Sequence, residues 1–418
     1  MAVKPKLLTT LKDYSARLFM ADALAGITVA MIALPLSIAI AVASGAEPAA
    51  GLVTAIVGGL LISALGGSRV QIGGPTGAFI VVVYGVIEQF GFDGLLLATL
   101  MAGLILVVAA LLRAGSLIAL IPEAVIEGFT VGIALIIAAG QLKDLFGLVI
   151  PRLPADFVDA APLLWAARHS ASLAAAGVGI TSIIAIALLK RRAGLIVVLA
   201  LASAAVGLLA LPVETIHSRF GHLPGGLPWP SMPHISVARI AELLPSALVI
   251  AFLAGVESLL SAIVADRMVG GAHRSNAELM AQGAANIAAP LFGGLPATGA
   301  IARTAANVRA GGTTPVAGIV HAVAILLFVI AAAPLAGYLA MPALAALLIV
   351  TAWSMSEPHR WGQRLKARPA DRFLFFLTMI LTVVSNLTVA IAVGTAIGLA
   401  QRLARRDIPP AEWTPEDR

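Results

Sequence analysis

The chain has 418 residues, 60% of them hydrophobic and 11% charged, with a mean hydropathy of +1.00. A soluble domain carries about 25% charged residues, so this composition excludes a water-solvated fold and implies one solvated by lipid. The net charge of +6 reads as basic loops on one side of a membrane rather than a nucleic-acid surface, and the lack of cysteine excludes disulfides, thiolate metal sites and cysteine nucleophiles.

Residues 1–21 carry Lys4, Lys6, Lys12 and Arg17 and run into an apolar stretch with no evident cleavage site, so they read as a short amphipathic lead-in. A membrane span needs about 20 apolar residues. On that measure span one runs from about Asp22 to Ala43 with Pro35 in its middle, and span two from Pro48 to near Gly66. Span three, about Val70 to Phe90, opens with VQIGGPTGAFIVVV and is interrupted. Span four covers about Asp93 to Leu112 and span five Pro122 to Gly140. Lys143 to His169 is expected to be a polar connection with three prolines, and Pro212 to Arg239 a second loop; spans six and seven flank Lys190-Arg191-Arg192 between them. Span eight is about Ala241 to Met268 and span nine Ala277 to Phe292. The tenth lies in GGLPATGAIARTAANVRAGGTTP, Gly293 to Pro315, which is too short and polar to cross as one helix. Spans eleven and twelve, about Pro315 to Ala333 and Leu335 to Thr351, precede a basic loop from Trp353 to Arg372. Phe373 to Leu403 holds two short spans with a turn near Ser385-Asn386.

Loop charge supports a count of about fourteen. Arg69, Arg113, Lys190 to Arg192, Arg267, Arg274, the 360–372 loop and the tail with Arg402, Arg405 and Arg406 all follow even-numbered spans. Loops after odd spans are poorer in Lys and Arg and carry Glu47, Glu88, Asp93 and Glu214; the mixed Lys143 to Arg168 connection is the exception. Both termini are therefore expected in the cytoplasm.

The two interrupted stretches match. Each has a Gly-Gly pair followed by Thr-Gly-Ala, at Thr76-Gly77-Ala78 and Thr298-Gly299-Ala300, offset by 299 − 77 = 222 residues. The same offset carries Pro35 to Glu257 (35 + 222 = 257). With seven spans per half the halves enter the membrane in opposite senses, an inverted repeat whose third and tenth helices start in mid-membrane and face each other. The first amides of such a helix lack intrahelical partners and sit at the positive end of its dipole, which suits an anion. Thr76 is placed to hydrogen-bond an oxyanion or to cap its helix, and Arg303 to lend positive potential or to pair with Glu257. Glu257 lies in LVIAFLAGVESLLSAIVADRM, where an ionisable group is a functional-site hypothesis; with Ser261 at i+4 and freed carbonyls it suits a hard cation, and alone it suits a proton. Asp266-Arg267 and His273-Arg274 read as interfacial charges, His321 as a packed or interfacial histidine rather than a proton relay, and Asn386 as a residue that caps or turns the last hairpin.

DALAGITVAMIALPLSIAIAVASG, QIGGPTGA and AELMAQGAANIAAPLFGGLPATGAIARTAANVRAGGTTP together resemble the SulP family of sulfate permeases, bicarbonate transporters and prestin, over about residues 20 to 405. The resemblance implies a fourteen-span, seven-plus-seven all-α fold with core and gate domains and an elevator-like movement. The chain looks most similar to the sodium-dependent bicarbonate transporters of cyanobacteria. That similarity implies an anion site at Thr76 with the backbone of Ala300 and Ile301, and a sodium site at Glu257 and Ser261 with the backbone of Gly299 and Ala300. It departs from them in Glu257, where they have aspartate, and in Ile301, where they have threonine; Leu36 stands where sulfate-type members have glutamine.

The expected protein is thus a secondary active transporter of a small anion (bicarbonate, a sulfate-like oxyanion or a dicarboxylate) coupled to Na+ or H+. The expected substrate residues are Thr76, Gly77, Ala78, Gly299, Ala300, Ile301 and Arg303, and the expected coupling residues Glu257, Ser261, Gly299 and Ala300. An uncoupled exchanger or channel and a nucleobase-type symporter are the alternatives; an enzyme is not expected, since no nucleophile–base pair or metal cluster occurs in the spans. No cofactor is expected beyond Na+ as coupling ion, and the partners are the bilayer and the anion, with a homodimer left open and no nucleic acid. The expected units are the lead-in 1–21, the first repeat 22–211, a connection 212–241, the second repeat 242–404 and a cytoplasmic tail 405–418 without the family's STAS domain, in the cytoplasmic membrane.

Overall fold

The computed structural model describes residues 4–115, 122–154, 156–189, 194–385 and 387–404; the Lys190-Arg191-Arg192 loop, Asn386 and the 405–418 tail lie outside the described residues. Helix α1 spans Ala16–Ala43, starting at Ser15, whose side chain accepts from the Leu18 amide, and it carries Pro35 without ending. Its Ala25, Val29 and Ala33 are buried while Leu24, Ile27 and Met31 are exposed. A helix apolar on both faces belongs between protein and lipid. Helix α2, Pro48–Leu65, contains a π turn at Thr54–Gly58. After strand β1, Gly73–Gly74, a 3₁₀ turn at Gly77–Phe79 leads into the helical run Ile80–Leu111. Gly91, at φ 72° and ψ 177°, breaks that run into α3 (80–90) and α4 (92–111).

Then come α5 Glu123–Gly140, α6 Leu142–Phe146, α7 Phe157–Ala166, α8 Leu173–Leu188, α9 Gly194–Leu208 and α10 Ile216–Phe220. The second half follows with α11 Val237–Val269, α12 Ser275–Leu291, β2 Thr298–Gly299, α13 Ile301–Ala310, α14 Val316–Gly337 and α15 Met341–Met355. Helices α16 Trp361–Lys366, α17 Pro369–Val384 and α18 Leu387–Ala404 complete it. Six helices among the described residues are long and apolar enough to cross a membrane. Two bodies result: α1 to α4 pack with α11 to α14, and α5 to α9 pack with α15, α17 and α18. These are the core and the gate of a fold that is all-α apart from its two-residue strands.

Three expectations need correction. The Lys143 to His169 connection is not a plain loop, because it holds α6, α7 and a 3₁₀ turn at Ala167–Ser170. Leu145, Leu148, Ile150 and Leu164 are buried there, and burying them holds the segment against the bundle despite its prolines. The Pro212 to Arg239 loop likewise contains α10, closed by a reciprocal Thr215–Ser218 capping box. Span eleven runs on through Pro334 to Gly337, and twelve starts at Met341 rather than Leu335. The break falls where the 214–216 backbone docks: Ile216 donates to the Leu339 carbonyl at 3.0 Å and Met341 to that of Glu214 at 2.9 Å.

The strands fix the centre. β1 and β2 pair antiparallel, Gly73 opposite Gly299 and Gly74 opposite Thr298, so the two interrupted helices meet through their unwound lead-ins. Gly74 stands at φ 151°, and a Cβ there would lie 2.0 Å from Arg303 Nη1. Gly74→Ala is therefore expected to lower stability by about 1–3 kcal/mol, read as thermal unfolding in detergent, against no change for Gly225→Ala, where a Cβ meets nothing within 4 Å; equal melting of the two variants contradicts this.

Candidate functional site

A break in a buried helix leaves backbone groups bare, and in a lipid-solvated protein each must find a partner inside the chain. The partners here come from α2, α11, α12 and α13. Thr54, in the π turn of α2, accepts from the Leu295 amide at 2.6 Å. Asn286 of α12 forms a two-way bond with Ala297, its Nδ2 donating to the carbonyl at 2.8 Å and its Oδ1 accepting from the amide at 2.9 Å. Thr298 donates to the Ala254 carbonyl of α11 at 3.0 Å. On the other strand Asn307 donates to the Val70 carbonyl at 2.8 Å, and Thr304 accepts from the Ile72 amide at 3.1 Å.

A fully buried carboxylate, Glu278, organises this support. It accepts from the amides of Gly67 and Ser68, from the amides of Gln71 and Gln282, and from the Ser258 hydroxyl, all between 2.9 and 3.2 Å. Gln71 also donates to Ser258 at 2.8 Å, and it fills the space beside Gly299, where a Cβ would lie 1.8 Å from its Nε2. Glu278, Gln282 and Asn286 stand at i, i+4 and i+8, one polar stripe on a helix otherwise rich in alanine. That spacing was the available signal for these three, which carried no assigned role in the sequence reading. Asp22 was also missed. It is fully buried and accepts from the Thr313 and Thr314 amides at 2.8 and 3.1 Å and from the Thr314 hydroxyl at 2.5 Å, tying α1 to the start of α14. Tyr14 donates to it at 3.1 Å, and burial together with the Asp22 carboxylate pushes the Tyr14 hydroxyl up to about 12, so it remains a donor at neutral pH.

Between the strands and α11 the expected site residues converge in part. Thr76 is the N-cap residue of the 3₁₀ turn but makes no cap bond. Its hydroxyl donates instead to Glu257 Oε2 at 2.8 Å. Glu257 is half-buried, and its Oε1 has no hydrogen-bond partner among the described residues. Gly77 and Ala78 open the turn and are buried; a Cβ on Gly77 would lie 3.1 Å from Met355 Sδ and 3.7 Å from Ile137 Cδ1, so residues of the gate cover this helix end. Gly299 is locked in β2, and the Ala300 amide is already bonded to the Ile72 carbonyl at 3.0 Å. The free first-turn donors of α13 are therefore those after Ala300, beginning with Ile301, whose side chain is 40% exposed.

Two expected pairings do not form. Arg303 makes no ion pair with Glu257. It is 2% exposed, donates through Nη2 to Ser37 at 3.1 Å, and leaves Nε and Nη1 without partners. Ser261 is fully buried and bonds Thr304 Oγ1 at 3.3 Å rather than joining Glu257. Four residues on an α-helix advance by about 400°, so the two side chains diverge by roughly 40°, enough to send one to Thr76 and the other to Thr304. His321 is fully buried without a bond to either ring nitrogen, in keeping with a packed residue. His273 and Asp266 pair with each other at 2.7 Å.

Glu278→Ala would leave the Gly67 and Ser68 amides and the Ser258 hydroxyl without an acceptor and remove one of two acceptors from Gln71 and Gln282, each unsatisfied donor costing about 1–3 kcal/mol. The variant is expected not to yield a monodisperse folded protein by fluorescence-detected gel filtration, whereas Glu257→Ala, at a half-open position, is expected to do so. A well-behaved Glu278→Ala protein contradicts the supporting role.

Comparison with known proteins gives a consistent set of matches. The profile of the Sulfate permease family matches residues 19–378. The putative sulfate transporter YvdB of Bacillus subtilis is 41% identical over 386 residues, covering 91% of this chain and 73% of that protein. The bicarbonate transporter BicA of Picosynechococcus is 29% identical, covering 88% of this chain and 68% of that one. Among solved structures, the transmembrane domain of a cyanobacterium bicarbonate transporter BicA superposes with a TM-score of 0.81 at 28% identity, over 90% of this chain and 98% of that one. SLC26A9 superposes with a TM-score of 0.84 at 18% identity, over 94% of this chain and 67% of that one, a likeness of fold.

Proposed function

The chain belongs to the sulfate permease family of membrane anion transporters, and we propose that it is a secondary active transporter of a small oxyanion, bicarbonate or sulfate, coupled to a proton or sodium ion at Glu257. The observation that carries this reading is the 2.8 Å hydrogen bond from Thr76 to Glu257. It joins the N-terminal end of one half-helix, where an anion is favoured, to a carboxylate of α11, the helix that packs against the other half-helix's lead-in.

The coupling follows from charge. Two unit charges about 4 Å apart interact by about 4 kcal/mol at an effective dielectric of about 20. A bare Glu257 carboxylate therefore repels an anion from the adjoining helix end, and a proton or sodium on it removes that repulsion. Anion and cation then favour each other's binding by the same factor. Arg303, unpaired with any carboxylate, adds positive potential behind α13. Thr76 and the first-turn amides of Gly77, Ala78, Ile301 and Arg303 orient the anion; Gly299 and Ala300 hold the strand pairing and keep the approach narrow. The free Oε1 of Glu257 takes the cation, and for sodium Ser261 would have to turn from Thr304. Movement of the core bundle against the gate, past Ile137 and Met355, carries the loaded site across. Loop charge supports cytoplasmic termini in a cell membrane.

Uptake into proteoliposomes under separately imposed sodium and proton gradients tests this. Glu257→Gln is expected to abolish concentrative uptake on whichever gradient drives the native protein, while exchange persists because the amide mimics the neutral carboxyl. A Glu257→Gln protein that still concentrates the anion overturns the coupling role. Ala300→Leu, crowding the helix end, is expected to lower uptake at least tenfold in a protein with native melting behaviour; unchanged uptake places the anion elsewhere.

A further inference from the structure

Just before the chain enters the membrane, the lead-in folds back onto the core. Its short helix, Leu7–Thr10, follows Lys6, whose amide donates to the Gly66 carbonyl at 2.8 Å and whose Nζ donates to the Ala272 carbonyl at 3.1 Å. Arg274 completes the clamp. Its Nη1 donates to the Lys4 and Pro5 carbonyls at 2.9 and 3.2 Å, and its amide to the Gly67 carbonyl at 3.1 Å. The amides of Gly67 and Ser68 in turn donate to Glu278, so one short segment ties the lead-in to the buried network.

The rim formed in this way is basic. Carbonyls and the Thr9 hydroxyl, not carboxylates, accept from Lys6 and Arg274. Arg69 is exposed, with neither an ion pair nor a hydrogen bond among the described residues. Burial, then the Arg274 and Arg69 charges, push the Lys6 ammonium below its ordinary pKa, with Asp266 opposing. Asp266 is held by the His273 amide and ring at 2.8 and 2.7 Å, and Glu278 is fully buried among its own donors. Lys4, Lys12 and Arg17 are exposed and extend the basic surface, and Asp13 is the single carboxylate of the lead-in.

Basic residues alone make a solvated face. Here they share the lead-in with Leu8 and Leu11, 54% and 43% exposed, and α1 continues with exposed Phe19, Met20 and Leu24. Apolar side chains uncovered beside cations, at the point where a chain enters lipid, belong to a segment lying in the interface plane.

We propose that this rim docks anionic phospholipid, with Lys6 and Arg69 meeting the phosphate and Leu8 and Leu11 entering the acyl boundary. Charge complementarity selects the lipid, because a leaflet with anionic headgroups attracts basic segments at the membrane surface. A bound headgroup offsets the repulsion that Arg274 and Arg69 exert on Lys6. It thereby holds the lead-in on the 66–68 segment that feeds Glu278.

The chain contains no cysteine, so Leu8→Cys carrying an environment-sensitive fluorophore reports the surroundings of this one position. In nanodiscs of phosphatidylcholine with phosphatidylglycerol, its emission is expected to lie to the blue of that in phosphatidylcholine alone, and the protein to melt at a higher temperature. High salt is expected to reduce both effects. Lys6→Gln combined with Arg69→Gln is expected to abolish both, and Lys6→Arg combined with Arg69→Lys to retain them. Lys366→Gln, in the exposed part of α16, is expected to leave them unchanged. Equal emission in the two lipid mixtures, or a shift that survives the double glutamine variant, overturns the proposal. So does a shift produced by inorganic phosphate in phosphatidylcholine nanodiscs, which identifies the ligand as a free anion.

Discussion

The antiparallel contact between Gly73–Gly74 and Thr298–Gly299 is the constraint on which the rest depends. A helix that starts in the middle of a membrane-embedded protein exposes backbone donors at its start and bare peptide groups in its lead-in. The donors are useful for binding an anion; the bare lead-in is costly in lipid. Pairing the two lead-ins with each other satisfies part of the requirement, and Thr54, Asn286, Thr304 and Asn307 satisfy more. What is left over is the first turn of each half-helix, the anion site proposed above. The buried Glu278 network then holds Gln71 in the narrow space beside Gly299, and that contact leaves no room there for a side chain larger than hydrogen.

The electrostatic character of the core follows from the same geometry. Arg303 is brought under β1 by the close approach that Gly74 allows, and it meets a serine rather than a carboxylate. A buried cation without an ion-pair partner costs several kcal/mol, and the Arg303 guanidinium leaves positive potential behind the start of α13. Glu257 is bound to Thr76 and forms no ion pair with Arg303, which bonds Ser37. The two groups therefore form no closed ion pair, and each remains available to a ligand of opposite charge.

The two interrupted helices, their matching Thr-Gly-Ala segments and Glu257 were all legible in the sequence, because glycine, proline and a lone carboxylate are rare and physically consequential in apolar spans. The Glu278, Gln282 and Asn286 stripe was visible as a pattern, but its meaning was not. Its partners sit in segments such as Gln71, 207 residues away, and a polar stripe alone does not say which element it will face. The engagement of Ser261 with Thr304 was hidden for a different reason: i+4 spacing places two side chains on one face but does not resolve the angle between them. The helices α6 and α7 were obscured by prolines and charges, while Leu145 and Leu164, which bury against neighbours, carried the opposite signal.

The strand pairing also bears on how such a chain is assembled. Gly73 and Gly299 are 299 − 73 = 226 residues apart, so the lead-in of the third segment leaves the ribosome long before its partner exists. Contacts of such sequence separation form late, after the entropy of closing the loop has been met. Until then the first half holds an opened helix with uncovered peptide groups, which must stay near water, in a translocation pore or against an insertion factor rather than in lipid. Biogenesis is thereby made sequential: the first repeat waits unfinished at its centre, and synthesis of the second completes both at once.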